Sequence, residues 1–252
     1  MSVSFPRLRC NCDRKMNEEI EEWSVAKDWE LMETEKRIKA LEGILSDKKQ
    51  PWQHRVQALE LLGCWQMDLN EVSFLLVSEV LDGIKVQLTE NRSMVVKAVC
   101  ESIASMARKL GSEFRDISDV LFPDVFVPLK NSKAVFRDAA LACLRELIQI
   151  PDGLGIVAVS SIIEEGRTSK TPAIRHVCLD LLKSLLDRVD EQYAEMISKT
   201  IAQGVQDAKP EVREAAKELF ILFAQKHPQL GQDIKLALPE KSVKFLNGEL
   251  NQ

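Results

Sequence analysis

Any chemistry in these 252 residues would have to start from three histidines, His54, His176 and His227, and six cysteines. None of the histidines has a sequence neighbour that suggests a catalytic dyad or a metal ligand. His54 lies two residues after Trp52, and His176 precedes Val177 and Cys178 on an amphipathic stretch. Cys10 and Cys12 form a lone C-x-C with no partners at metal-site spacing. Cys64, Cys100, Cys143 and Cys178 fall on the apolar faces of helical patterns, where a thiol behaves as a small hydrophobe. That usage suits a reducing compartment. There is no glycine-rich phosphate loop and no G-x-S-x-G element. The abundant carboxylates follow helix surfaces, where i,i+4 pairs are the ordinary explanation. The expectation is therefore a protein with no catalytic residue, no cofactor and no metal.

The recurring chemistry is basic. Arg55, Lys97, Arg137, Arg175 and Arg213 recur at spacings of 42, 40, 38 and 38. Three residues after each comes a small residue: Ala58, Cys100, Ala140, Cys178 or Ala216. Six after each comes Leu61, Ile103, Cys143, Leu181 or Leu219. Five copies at a period near 40 form an internal repeat, and such periods belong to solenoids of helical pairs. The small position allows close helix approach, and the larger ones fill the core between repeats.

Composition agrees with an all-α chain. It is 45% hydrophobic and 6% aromatic, with 10 Gly and 9 Pro, so helices are rarely broken. The net charge of −5 argues against a general nucleic-acid binder. No apolar run is long enough to span a bilayer, and the N-terminus has no signal-peptide core. A cytosolic chain that engages neither nucleic acid nor membrane is expected.

In order along the chain, residues 1–16 read as an irregular polar segment and 17–250 as one repeat domain. The repeats fall at about 30–66, 71–110, 114–149, 154–189 and 191–226, with a C-terminal cap at 229–250. Pro172 and Pro210 mark helix starts, because proline at the first helical position needs no N–H. Gly111 suits the position just after a helix. Pro123 and Pro128 are expected to bend or break the first helix of repeat three. Pro151-Asp152-Gly153 is a turn.

A solenoid of helical pairs has two edges, and their charges differ here. Loops within pairs carry Lys48 and Lys49 with Asp47, then Arg92, Lys130, Lys133, Arg167 and Lys170, and Lys209 with Asp207. Loops between pairs carry Asp68, Glu71, Glu113 and Asp116 with Arg115, Asp152, Asp190 and Glu191. A basic edge on an acidic protein would steer an acidic macromolecular partner. Trp52 sits on that edge, either packed at a helix start or exposed as an anchor of the kind enriched at interfaces.

Trp52-x-x-Arg55-x-x-Ala58-Leu59-x-x-Leu62 resembles the opening of TOG domains, the HEAT-repeat modules that bind αβ-tubulin. Residues 90–100, with Arg92-Ser93 before a short apolar run, resemble the second intra-repeat loop of the CLASP family of microtubule-associated proteins. Residues 168–175 resemble its fourth loop and 207–216 its fifth. The third, Lys130-Asn131-Ser132-Lys133, matches only in kind, and the sixth unit is short. The resemblance spans about 36–246. It implies an all-α HEAT-repeat solenoid, a flat paddle of five to six helical pairs, whose intra-repeat edge docks on tubulin. It implies Trp52 as apolar anchor with Gln53 beside it, then Asn91, Arg92, Ser93 and Met94 in the second loop. Ser132 and Lys133 follow in the third, Ser169 and Lys170 in the fourth, and Lys209 and Arg213 in the fifth. Arg55, Arg137, Arg175 and Arg213 stand where HEAT units place packing arginines, with Asp207 as a ladder partner for Arg213.

The resemblance further implies a monomeric, non-enzymatic module of a larger multi-domain protein. Its partner would be αβ-tubulin or microtubules, and its place the cytoplasmic microtubule cytoskeleton, with spindle, kinetochore and cilium left open. The competing reading is a HEAT scaffold or adaptor for a non-tubulin protein. Whether the family member is a CLASP or a related ciliary TOG-array protein stays open in the sequence.

Overall fold

Prolines and glycines punctuate the helices of this chain, and apolar stripes decide how they pack. In the computed structural model the structure describes residues 28–65 and 74–249. The sequence expectations for 1–27, including the irregular segment 1–16 with its C-x-C, and for Asp68 and Glu71 lie outside them. The described residues form twelve α-helices and no strand. These are α1 (Thr34–Leu45), α2 (Trp52–Cys64), α3 (Phe74–Leu88), α4 (Ser93–Leu110), α5 (Arg115–Leu129) and α6 (Ala134–Leu147). They continue with α7 (Ile156–Thr168), α8 (Pro172–Leu185), α9 (Ala194–Val205), α10 (Pro210–Lys226), α11 (Pro228–Ala237) and α12 (Glu240–Leu246). Two compact units divide inside α4, the first ending at Met106 and the second beginning at Ala107.

In the first unit α1 packs against both α2 and α3. Its N-terminal end is closed by aromatic residues. Trp29 is buried, with its ring edge-on to Trp65 at 5.7 Å between centroids. The Arg37 guanidinium lies 5.4 Å from the Trp29 centroid and 5.7 Å from that of Trp65. Its Nε donates to the Trp29 carbonyl at 2.9 Å. A cation held against two rings and a carbonyl fixes the short 3-10 turn Trp29–Leu31 ahead of α1.

In the second unit α5, α7, α9 and α11 pack one on the next, and α6, α8 and α10 pair with α5, α7 and α9. The small positions explain how closely the pairs approach. Ala58, Cys100, Ala140, Cys178 and Ala216 are all buried. Within the second unit two of them face glycines of the opposite helix. A Cβ on Gly204 would stand 2.8 Å from Ala216 Cβ, and one on Gly166 would stand 3.1 Å from Cys178 Cβ. At Cys178 and Ala216 the periodic small residue is therefore one half of a contact whose other half is a glycine.

Three expectations are corrected. The helix α5 is unbroken despite Pro123 and Pro128. Each proline removes one backbone bond, but Ile117, Leu121, Phe122, Val125, Phe126 and Leu129 are buried along the same helix and hold it together. Leu61 is only half-buried, and Leu62 fills the core of that repeat instead. Cys64, at the end of α2, is exposed, whereas Cys100, Cys143 and Cys178 are buried. Gly111 does end α4, with φ +57°, a conformation that glycine adopts without steric cost.

Candidate functional site

The loops within helical pairs share a local design. Asp47 Oδ1 accepts the Lys49 amide at 2.8 Å, Asn131 Oδ1 that of Lys133 at 3.0 Å, and Asp207 Oδ1 that of Lys209 at 2.9 Å. These are Asx turns, in which a short side chain takes the place of a backbone acceptor and reverses the chain. Each sets a lysine at the lip of the loop, just before an inner helix begins. The signal was legible as Asp/Asn-x-Lys at three equivalent places.

The fourth residue of four inner helices is an arginine, and it fastens the loop from below. Arg137 Nη1 donates to the carbonyls of Asn131 and Ser132 at 3.0 and 2.5 Å. Arg175 Nη1 donates to the Ser169 carbonyl at 2.6 Å. Arg213 Nη1 reaches the carbonyls of Asp207 and Ala208 at 2.9 and 3.1 Å. Arg55 Nε reaches that of Gln50 at 3.2 Å. Lys97 departs from the set. It stands in the arginine register but is exposed, 3.7 Å from Glu101. A single ammonium lacks the guanidinium fork that grips carbonyls and a carboxylate together.

Two of these arginines also tie one repeat to the next. Arg55 is 0% exposed and donates to Gln87 Oε1 at 2.7 Å and Glu90 Oε2 at 2.5 Å. Gln87 Nε2 in turn donates to the Leu45 carbonyl at 2.5 Å. Lys48 Nζ adds a second tie, to Thr89 O at 3.0 Å and Oγ1 at 2.8 Å. Arg175 clasps Asp207 through Nε and Nη2 at 2.6 and 2.9 Å, a bidentate pair. Asp207 thus presents its carboxylate to Arg175 and only its carbonyl to Arg213, which corrects the ladder expected from sequence. Burial pushes the carboxyls of Glu90 and Asp207 upward, but hydrogen bonds and the charge of Arg55 and Arg175 outweigh it. Both stay below their ordinary values.

With these groups engaged, the basic edge thins to a few side chains. Lys130 pairs with Glu165 at 2.6 Å, and Arg167 with Glu164 at 2.7 Å. Lys49 and Arg92 in the first unit, and Lys133, Lys170 and Lys209 in the second, are exposed and have no ion pair among the described residues. In the first unit Trp52 and Gln53 are half-buried at the start of α2. Across the loop tie lie exposed Asn91, Arg92 and Met94, Met94 being 56% exposed, with half-buried Ser93. In the second unit Ser132 is exposed, and Ser169 and Arg213 are half-buried. An open groove of about 570 Å³ runs beside the last two loops, lined by Arg167, Ser169, Arg175, Gln203 and Asp207 among others. Its lining is polar, and its arginines are bonded to Glu164, Asp207 and the Ser169 carbonyl. Among the described residues no group of three His, Cys, Asp or Glu is placed to hold a metal. No helix there is long and apolar enough to cross a membrane.

Sequence reasoning missed Gln87, Glu90 and Lys48 as the tie between the first two loops. The available signal was an acidic residue just ahead of an inner helix, at both Glu90 and Asp207, following an arginine in the preceding repeat.

Paired helices, a small residue against glycine, and arginine-fastened loops define a HEAT-repeat solenoid of the TOG type. Solved structures share this fold. A chain of Crescerin, which is described as using a TOG domain array to regulate microtubules in the primary cilium, superposes with a TM-score of 0.64 at 16% identity. That match covers 84% of this chain and 88% of the other. The MAST/Orbit N-terminal domain superposes with a TM-score of 0.60 at 19% identity, covering 86% and 96%. The family model of the CLASP N-terminal region matches residues 34–247, and the chain belongs to that family. CLIP-associating protein 1-B of Xenopus laevis is 26% identical over 227 residues, 86% of this chain. CLIP-associating protein of Drosophila melanogaster is 22% identical over 200 residues, 76% of this chain. The chain spans 15% of the Xenopus protein and 13% of the Drosophila one.

Proposed function

We propose that this chain is a non-catalytic module that recognises αβ-tubulin, as free dimer, lattice or microtubule end, through its intra-pair loops, and so tunes microtubule dynamics. It would act as one module of a larger microtubule-associated protein in the cytoplasm. The observation that carries the reading is the first unit's edge, where Trp52 and Met94 lie beside the exposed cations Lys49 and Arg92. An apolar anchor ringed by unpaired cations fits an acidic protein surface, with the ring contributing affinity and the charges the encounter rate. Lys133, Lys170 and Lys209 would supply further contacts from the second unit. A TOG structure described in terms of TOG-tubulin binding specificity shares the fold, with a TM-score of 0.61 at 16% identity, and supports the same direction.

The test is tubulin binding by size-exclusion chromatography and fluorescence anisotropy at two salt concentrations, with Trp52→Glu in parallel. Salt-sensitive binding that Trp52→Glu abolishes, with the helical circular dichroism spectrum unchanged, is the expected result. A second reading, an adaptor for a non-tubulin protein, is favoured by Ile156 and Val157, which are 60% and 46% exposed at the start of α7, away from these loops. Full binding by Trp52→Glu, or none by the wild type to dimer, lattice or ends, would favour the adaptor.

A further inference from the structure

The loop between α7 and α8 carries a feature that tubulin recognition does not use. Among the nine prolines of the chain, only Pro172 follows a serine or threonine. That one Thr-Pro dipeptide falls on the proposed docking edge, between Lys170 and Arg175. Thr171 is exposed, and its hydroxyl makes no capping hydrogen bond. Ser169 and Thr171 are extended, with φ/ψ of −56°/131° and −94°/112°, and Pro172 is the first residue of α8. The 14-residue helix thus begins without a side-chain cap. Pro172 has no N–H, and the amides of Ile174 and Arg175 turn back to the Thr171 carbonyl at 3.0 and 3.3 Å.

We propose that Thr171 is a phosphate acceptor for a proline-directed protein kinase, and that phosphorylation there reverses the charge of the fourth loop and releases the partner. The second half rests on the tubulin reading; the first does not. Kinases of this class read Ser/Thr-Pro through the fixed φ and missing N–H of proline, and ahead of Pro172 both Lys170 and Thr171 are exposed, with Thr171 already extended. In the transfer, Thr171 Oγ1 forms a bond to the γ-phosphorus of ATP, and the bond from that phosphorus to the ADP oxygen breaks. The hydroxyl proton passes to the kinase's catalytic carboxylate.

Two consequences follow from the position. The product stands at the N-terminus of α8, where the helix dipole and the Ala173 amide favour an anion, so the fold tolerates it. It also places about two negative charges directly after Lys170, the one exposed cation of this loop without an ion pair. Arg175 is committed to Asp207 in a largely buried bidentate pair, and Arg167 is shared with Glu164. The lip of the loop therefore changes from positive to negative.

The experiment incubates the folded chain with a cyclin-dependent kinase and Mg-ATP. It compares wild type, Thr171→Ala and a synthetic peptide of residues 165–177, and sites are mapped by mass spectrometry. The expected result is about one phosphate on Thr171 in both wild type and peptide, none in Thr171→Ala, and no fall in Tm. The phosphorylated chain should bind tubulin about tenfold more weakly at low salt, with most of the difference gone at high salt. Refusal of phosphate by the folded chain, whether or not the peptide accepts it, overturns the acceptor site. Incorporation with unchanged tubulin affinity overturns the switch. If neither form binds tubulin, the tubulin reading and the switch fall together, while incorporation and Tm still decide the acceptor site.

Discussion

Replacing Arg55 by methionine should destabilise the first unit far more than any surface charge change. The guanidinium is fully buried and holds three separate partners: the Gln50 carbonyl, Gln87 Oε1 and the Glu90 carboxylate. Methionine fills much of the volume but leaves Glu90, only 10% exposed at its side chain, without its counter-charge, and Gln87 Oε1 without its donor. Breaking one side of a buried pair costs about 3–5 kcal/mol, a large share of the roughly 5–15 kcal/mol that holds a typical domain together. Glu90→Gln keeps an acceptor for Arg55 but strands its buried positive charge, so it too should destabilise, by up to about 3–5 kcal/mol. The double variant Arg55→Met/Glu90→Gln should cost less than the sum, because neither charge is then left stranded. The control is Arg108→Ala, which breaks a 2.9 Å pair with Glu146 whose side chains are 52% and 53% exposed. It should cost under about 1 kcal/mol. The assay is urea unfolding followed by far-ultraviolet circular dichroism, with slopes compared as well as midpoints. Equal, small effects of Arg55→Met and Arg108→Ala would refute the reasoning, because burial would then confer no extra dependence on the pair.

Two further predictions concern packing and pH. Gly155 lies where a Cβ would meet the Asp119 carboxyl at 2.3 Å, and Asp119 Oδ1 accepts the Ala158 amide at the start of α7. Gly155→Ala should therefore cost about 1–3 kcal/mol, read as a lower Tm, whereas Gly43→Ala, with nothing within 4 Å, should not lower it. The carboxyls of Glu90 and Asp207 titrate below their ordinary values of 4.5 and 3.8. A depressed folded-state pKa gives stability that is fully present above the unfolded value and lost as pH falls through the folded one. Acid titration should thus show wild type losing stability below about pH 4.5, and Glu90→Gln losing less of it over the same range.

Much of the fold was legible because its causes are local. The period near 40, the small residue at each inner helix, Pro172 and Pro210 as helix starts and Gly111 as a helix end each follow from one or two residues and their steric needs. The Asx turns that set Lys49, Lys133 and Lys209 at the loop lips are equally local. Proline 123 misled for the opposite reason. Its cost is local, but the burial that outweighs it, at Phe122, Val125 and Phe126, is supplied by neighbouring helices.

The candidate site divides in the same way. Sequence alone determined which loops carry cations and that Trp52 opens the first of them, since composition and register suffice for that. Only tertiary structure decided which cations remain available. Lys130 and Arg167 are taken by glutamates, Lys48 by Thr89, and the inner-helix arginines by loop carbonyls. Two of those arginines also hold carboxylates 35 and 32 residues away. Whether a charge is spent inside the protein or offered to a partner depends on what the next repeat places within about 3 Å of it, and no spacing along one chain segment encodes that distance.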